Sequence, residues 1–333
     1  MIPLLIVGCA LAGCETGDQS KKGDETEKTS REEKKMEIPR ELEIQGHRGA
    51  RGLKPENTLP AFETALDLQV DTLELDLHLS KDGKLVVWHD PFVRASKCEV
   101  PEDAGDLPEP AAEGETPPAA MVRNLTAAQL AKYRCASNPD AERFSEQNAE
   151  PTTIAGAEFG IVTLAGLFDF VENYAGSDEK SEAQRANARR VEFNIETKRH
   201  PENPAYIGDG FDGRQAGEFE KKLVELIRRR DLVERVTVQS FDHRSLWAVH
   251  AMAPELRLAA LESERKEPLS ELAKRGAAIW SPNAELVDET SLKEASAAGL
   301  RVIPWTVNDI DEMRRLIRVG VDGLITDRPD LVR

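Results

Sequence analysis

Positive charge is in short supply in this chain: 44 Lys and Arg face 61 Asp and Glu, a formal net charge of −17 over 333 residues. That deficit argues against binding nucleic acid by neutralising its phosphates. It argues equally against a broad electrostatic attraction to anionic lipid. Any phosphate site must be a local positive spot in an acidic protein. Long apolar runs are scarce too. Residues 1–12 are almost wholly apolar, but the run is too short for a bilayer span and reads as a targeting segment. Cysteine occurs only at positions 9, 14, 98 and 135, and no internal repeat is visible. What is present is 40% hydrophobic content, enough for one large α/β barrel or two smaller domains.

The apolar run ends in Leu11-Ala12-Gly13-Cys14, which resembles a bacterial lipobox. Residues 1–13 are then expected to be a lipoprotein signal peptide, removed to leave lipid on the Cys14 sulfur. The basic residues that usually begin such a signal are missing; an ordinary secretory signal or a buried strand is the alternative. Residues 14–40 mix Lys, Glu, Asp, Ser and Thr with almost no apolar content, a disordered tether by composition. The expected location is extracytoplasmic, anchored by lipid to a bacterial membrane, in the periplasm or at the cell surface. Cys98 and Cys135 would there be exposed to an oxidising compartment, where a disulfide is expected over two unrelated thiols. It would staple the base of an acidic, Pro-rich stretch, 99–120, that contains no Lys or Arg.

From about residue 41 strand-like and helix-like patterns alternate. Strands are expected at 42–46, 72–77, 191–196, 236–239, 257–260, 278–280, 301–306 and 323–326. Helices are expected at 58–68, 164–174, 217–229, 244–253, 269–275, 288–298 and 310–319. Eight strands alternating with helices imply a parallel sheet closed into a (β/α)8 TIM barrel spanning 41–333. Residues 84–89 read as an extra strand, hairpinned to the second through Asp82-Gly83. An insertion of about 92–160 follows the second strand region, with Thr126 placed to cap a helix.

One stretch of about 45 residues gathers His47, Arg48, Asn57, Glu74, Asp76 and His89. Strand alternation points Glu74 and Asp76 to one face while Leu73, Leu75 and Leu77 face the opposite way, toward surrounding helices. The acids would then lie inside the barrel, where an unpaired charge is very costly. Paired carboxylates suit a hard divalent cation, and two histidines beside one suit acid–base chemistry on a phosphate ester. The remaining polar candidates, Glu196, Lys198, Trp305, Asn308 and Asp327, also fall at strand C-termini, where barrel active sites are built. His78, just before a turn, is expected at the surface.

These residues sit in His47-Arg48-Gly49, Pro55-Glu56-Asn57-Thr58, Glu74-Leu75-Asp76, His89-Asp90-Pro91, Asn194-Ile195-Glu196-Thr197-Lys198, Gln239-Ser240-Phe241, Trp305-Thr306-Val307-Asn308 and Asp322-Gly323-Leu324-Ile325-Thr326-Asp327-Arg328-Pro329. In that order they resemble the glycerophosphodiester phosphodiesterase family, relatives of bacterial phosphatidylinositol-specific phospholipases C. The resemblance implies hydrolysis of glycerophosphodiesters to sn-glycerol 3-phosphate and an alcohol, with a metal on Glu74, Asp76 and Glu196 and acid–base roles for His47 and His89. Ca²⁺ is favoured, with Mg²⁺ as the other candidate. Arg48 and Lys198 would supply the positive spot, although Lys198 has the alternative of pairing with a metal-ligand carboxylate. Asn57 would bond phosphate or hold its own loop. Phe241 and Trp305 would contact the glycerol carbons or pack in the core. Glu56 and Asp327 read as structural, the latter bonding loop backbone near Arg328. Rival readings are a phosphodiesterase for lysophospholipid or polymeric glycerol phosphate, and a catalytically silent surface-binding lipoprotein. No oligomeric state is implied.

Overall fold

A computed structural model describes residues 41–333. The expected signal peptide, the Cys14 lipidation site and the tether lie outside the described residues. Among the described residues nine strands form: β1 (Glu43–Gly46), β2 (Thr72–Leu79), β3 (Leu85–Val87), β4 (Glu192–Thr197), β5 (Val236–Ser240), β6 (Arg257–Glu262), β7 (Ile279–Pro282), β8 (Arg301–Val302) and β9 (Gly323–Thr326). Eight of them run parallel in the order β8-β7-β6-β5-β4-β2-β1-β9. The two ends of that order meet. Asp322 N–H donates to the Val302 carbonyl at 2.9 Å, and Ile325 N–H to the Pro304 carbonyl at 3.0 Å. The sheet is thus a nearly closed eight-stranded parallel barrel, the expected architecture. β3 pairs antiparallel with β2 outside the ring, as the Asp82-Gly83 turn implies.

Helices follow the strands: α1 (Leu59–Asp67), α2 (Ala127–Leu130), α3 (Leu164–Gly176), α4 (Glu182–Arg190), α5 (Glu218–Arg229), α6 (His243–Met252), α7 (Leu269–Lys274), α8 (Glu289–Ala298) and α9 (Ile310–Val319). Helix α4 is absent from the sequence expectation. Its sequence, EAQRANARR, carries no apolar stripe to read. Local bonds make it a helix: Ser181 and Gln184 form a reciprocal capping box, which satisfies two backbone donors at the N-terminus. Asn187 then ties it to the barrel through the Val70 carbonyl at 2.9 Å. Strand β8 is shorter than expected, although the Ile303 and Trp305 N–H groups still bond the Trp280 and Pro282 carbonyls of β7.

Alternation along β2 does what the sequence predicts. Leu73, Leu75 and Leu77 are fully buried in the main apolar cluster between barrel and helices, while Glu74 and Asp76 point inward. The segment between β3 and α3 builds a smaller core of its own, including Trp88, Val93, Leu125 and Ile161. Cys98 and Cys135 belong to that cluster and are joined by a disulfide. Thr126 caps α2 and forms a capping box with Gln129.

Candidate active site

The site is assembled where β1, β2, β4, β5 and β9 end. His47 directly follows β1, and the turn after it is tight. Gly49 has φ +86°, and a Cβ there would lie 2.6 Å from the backbone of Ala61, so only glycine fits. Arg48 and Asn57 also occupy the left-handed region, with φ 52° and 57°. Side-chain-bearing residues rarely adopt it, and such strain concentrates at functional sites.

His47 is held by a partner far away in the chain. Its Nδ1 lies 2.7 Å from Asp327 Oδ1, leaving Nε2 facing the site, 3.8 Å from Glu74 Oε2. Asp327 also accepts from Arg51 Nε and Nη2 at 2.7 and 2.8 Å and from Asn308 Nδ2 at 2.7 Å. Its main role is therefore to orient His47 and hold Arg51, not to bond loop backbone as the sequence reading expects. Burial pushes His47 down to about 4, aided by Arg51 and Arg48 and only partly offset by Asp327. The ring is neutral at pH 7.

Glu74, Asp76 and Glu196 are all buried, and one oxygen from each lies within 4.8 Å of the others. Sheet register sets this arrangement, since Asp76 on β2 is the direct partner of Glu196 on β4. Arg48 N–H donates to Glu74 Oε2 at 2.9 Å, and Gln239 Nε2 to Oε1 at 2.8 Å. Asn57 Nδ2 donates to Asp76 Oδ2 at 2.9 Å, and Arg48 Nε lies 3.1 Å from the same oxygen. Lys198 Nζ sits 2.9 Å from Glu196 Oε1 and 3.5 Å from Asp76 Oδ1. Asp76 Oδ1 is buried and has no hydrogen-bond partner.

Charge in this cluster is unbalanced. Burial and the neighbouring Asp76 raise Glu74 well above the usual carboxylate range. Burial lifts Glu196 to about 7 despite Lys198. Burial also works against ionised Asp76, but Arg48 and Lys198 outweigh it and hold that carboxyl well below its ordinary value. Three hard oxygen donors, a buried carboxylate oxygen without a hydrogen bond and mutual repulsion fit a divalent cation.

His89 follows β3. Its Nδ1 is 3.2 Å from Asp90 Oδ1, and its carbonyl oxygen is 3.1 Å from His78 Nε2. Burial, then Arg48 and Lys198, push His89 down to about 3. His78 is buried, which corrects its expected surface position. Its place two residues after Asp76 on the same strand face is the signal that could have found it.

Phe241 and Trp305 meet edge to face at the rim, with centroids 5.3 Å apart. Trp305 Nε1 donates to the Ser281 carbonyl at 2.9 Å. Asn57 bonds a carboxylate of the cluster, a contact named in neither reading above, and Lys198 lies against two. Glu56 accepts two bonds from Arg48 Nη1 at 3.0 Å and one from Lys97 at 2.7 Å. Arg51 and Lys97 are members of the network that the sequence reading does not single out, and Gln239 appears there only within a motif, without a role.

Titratable groups converging on the strand C-termini of a parallel barrel define an α/β-barrel enzyme whose site is arranged for work on phosphate esters. The sequence pattern of the glycerophosphoryl diester phosphodiesterase family matches residues 47–331. The chain belongs to that family and is an enzyme of it. It is 30% identical over 291 residues to a glycerophosphodiester phosphodiesterase of Bacillus altitudinis, covering 86% of this chain and 95% of that one. It is 28% identical over 288 residues to one of Caldanaerobacter subterraneus, covering 86% and 94%. Among solved structures, a Silicibacter pomeroyi protein named for the same activity superposes with a TM-score of 0.68 at 25% identity, covering 89% of this chain and 92% of that one.

Proposed function

We propose that the protein hydrolyses glycerophosphodiesters to sn-glycerol 3-phosphate and an alcohol, with a divalent cation on Glu74, Asp76 and Glu196 and with His47 and His89 moving the protons. The observation that carries this reading is the buried three-carboxylate cluster beside a histidine whose free Nε2 faces it. Bound there, the cation offsets the carboxylates and stabilises charge developing on phosphorus. The donor set favours Ca²⁺ or Mg²⁺ over Zn²⁺, and an extracytoplasmic location favours Ca²⁺.

His47 is suited to act as base. Asp327 holds its Nδ1, so Nε2 presents a lone pair. The glycerol 2-hydroxyl gives its proton to that nitrogen as its oxygen bonds to phosphorus. The bond from phosphorus to the alcohol oxygen breaks, and His89 protonates the departing oxygen. Water then opens the resulting cyclic phosphate with the two roles reversed. His89 must arrive protonated. Burial, and then Arg48 and Lys198, work against that; the substrate's phosphate anion would offset the two cations. The aromatic corner of Phe241 and Trp305 would pack on the glycerol carbons.

The lipobox-like Cys14 supports membrane anchoring, and the Cys98–Cys135 disulfide suits an oxidising compartment. Together they support an extracytoplasmic, lipid-anchored enzyme. The test is to assay purified protein with Ca²⁺ or Mg²⁺ on glycerophosphocholine and lysophosphatidylcholine. Release of glycerol 3-phosphate from the first is expected. Turnover of the lipid alone overturns the substrate assignment, and no release from either favours a silent binding protein.

A further inference from the structure

Outside the three-carboxylate cluster, a second group draws together: Glu56, His89 and Asp90 bring ligand-type atoms within 4.8 Å of one another. That spacing would suit another cation, but a side chain already fills the role. Lys97 Nζ donates to Glu56 Oε1 at 2.7 Å and to Asp90 Oδ2 at 2.5 Å. The other oxygen of Asp90 holds His89 Nδ1, and Glu56 holds Arg48. A single ammonium thus joins the histidine arm of the site to its arginine arm.

We propose that Lys97 is a positioning residue for His89, fixed in place by the disulfide-bonded insertion. It acts through Asp90. With its Oδ2 held by Lys97, the Asp90 carboxylate keeps Oδ1 toward His89 Nδ1, and so aims Nε2 of that ring at the leaving oxygen. Lysine is a flexible residue that ordinarily gives poor positional control. Here its side chain is only 14% exposed and lies over the Trp88 ring, 5.5 Å from the centroid. Its backbone is clasped as well. The Lys97 carbonyl accepts from Ser137 N–H at 3.1 Å, and Glu99 and Arg134 exchange backbone bonds of 3.0 and 3.1 Å. Between those two ties, Cys98 is bonded to Cys135. The insertion therefore contributes to the reaction, although Lys97 belongs to none of the motifs in the sequence.

The proposal rests on His89 being the acid, and the test separates the two. The single-turnover rate of alcohol release, the step that precedes opening of the cyclic phosphate, is measured for wild type, His89→Ala, Lys97→Met, Lys97→Gln and Lys97→Arg on two substrates: glycerophosphocholine, and the p-nitrophenyl ester of glycerol phosphate. The second leaving group departs without a proton, so loss of the acid arm spares it. Because the two rates are compared within one sample, any unfolded fraction cancels. Lys97→Met and Lys97→Gln are expected to lose about 10–100-fold on the choline ester and much less on the nitrophenyl ester, with Lys97→Arg retaining most activity on both. Selectivity in His89→Ala without it in the Lys97 variants overturns the proposal alone. Equal losses on both substrates in His89→Ala overturn the acid assignment, and the Lys97 role with it.

Discussion

The Nδ1 of His47 lies 2.7 Å from Oδ1 of Asp327, a contact between residues 280 positions apart that selects the tautomer of the proposed base. Asp327→Asn keeps the shape but removes the charge and offers a donor where an acceptor is needed. kcat is expected to fall by about 10²–10⁴-fold, on the scale of other histidine-orienting carboxylates, while cation affinity changes little. Steady-state kinetics and calorimetric titration check this. Activity within a few-fold of wild type would remove Asp327 from the account.

Cation binding should be linked to pH in a definite direction. In the cation-free protein Glu196 is pushed up to about 7 and Glu74 is raised as well. Below neutrality these carboxyls hold protons that a cation must displace, so affinity should rise with pH up to and through 7. The thermal shift produced by Ca²⁺ should be larger at pH 8 than at pH 5. An equal shift at both would contradict the ligand assignment.

The same groups set the stability of the cation-free protein. A folded-state value above the unfolded one gives Glu196 a contribution that is present at low pH and lost as pH rises from about 4.5 to 7. His47 and His78, both pushed down to about 4, act oppositely: their contribution is lost as pH falls from 6.5 toward 4. Glu196→Gln should therefore flatten the neutral side of the melting-temperature profile, measured with chelator present. An unchanged profile would contradict the raised value.

Reducing the Cys98–Cys135 bond, with a sequence separation of 37, should cost about 2–4 kcal/mol by relaxing the unfolded chain. Cys98→Ser is expected to melt earlier than wild type under oxidising conditions and equally in reductant. Identical melting in both conditions would show that the bond contributes nothing.

Much of the site is visible in the sequence because it obeys strand alternation. Leu73, Leu75 and Leu77 mark one face of β2, so Glu74 and Asp76 must take the other. The same rule places His78 inside the barrel, but its nearness to the Asp82-Gly83 turn suggests the surface instead. Asp327, Arg51 and Gln239 gain their roles from partners in distant segments, and no local pattern announces such pairings. Lys97 is less legible still, since only the folding of the insertion brings it beside Asp90. Helix α4 is hidden for a different reason: capping and tertiary hydrogen bonds, such as those of Asn187 to Val70 and Gln184 to Asp67, define it without apolar periodicity.

The claim at the centre is that His47 moves the proton of the attacking hydroxyl beside a carboxylate-held cation. The most direct test is kcat of His47→Ala on glycerophosphocholine with saturating Ca²⁺, its melting temperature serving as the check on folding. A fall of about 10²–10⁴-fold with the fold intact is the predicted result; turnover close to wild type in a folded His47→Ala protein would contradict it.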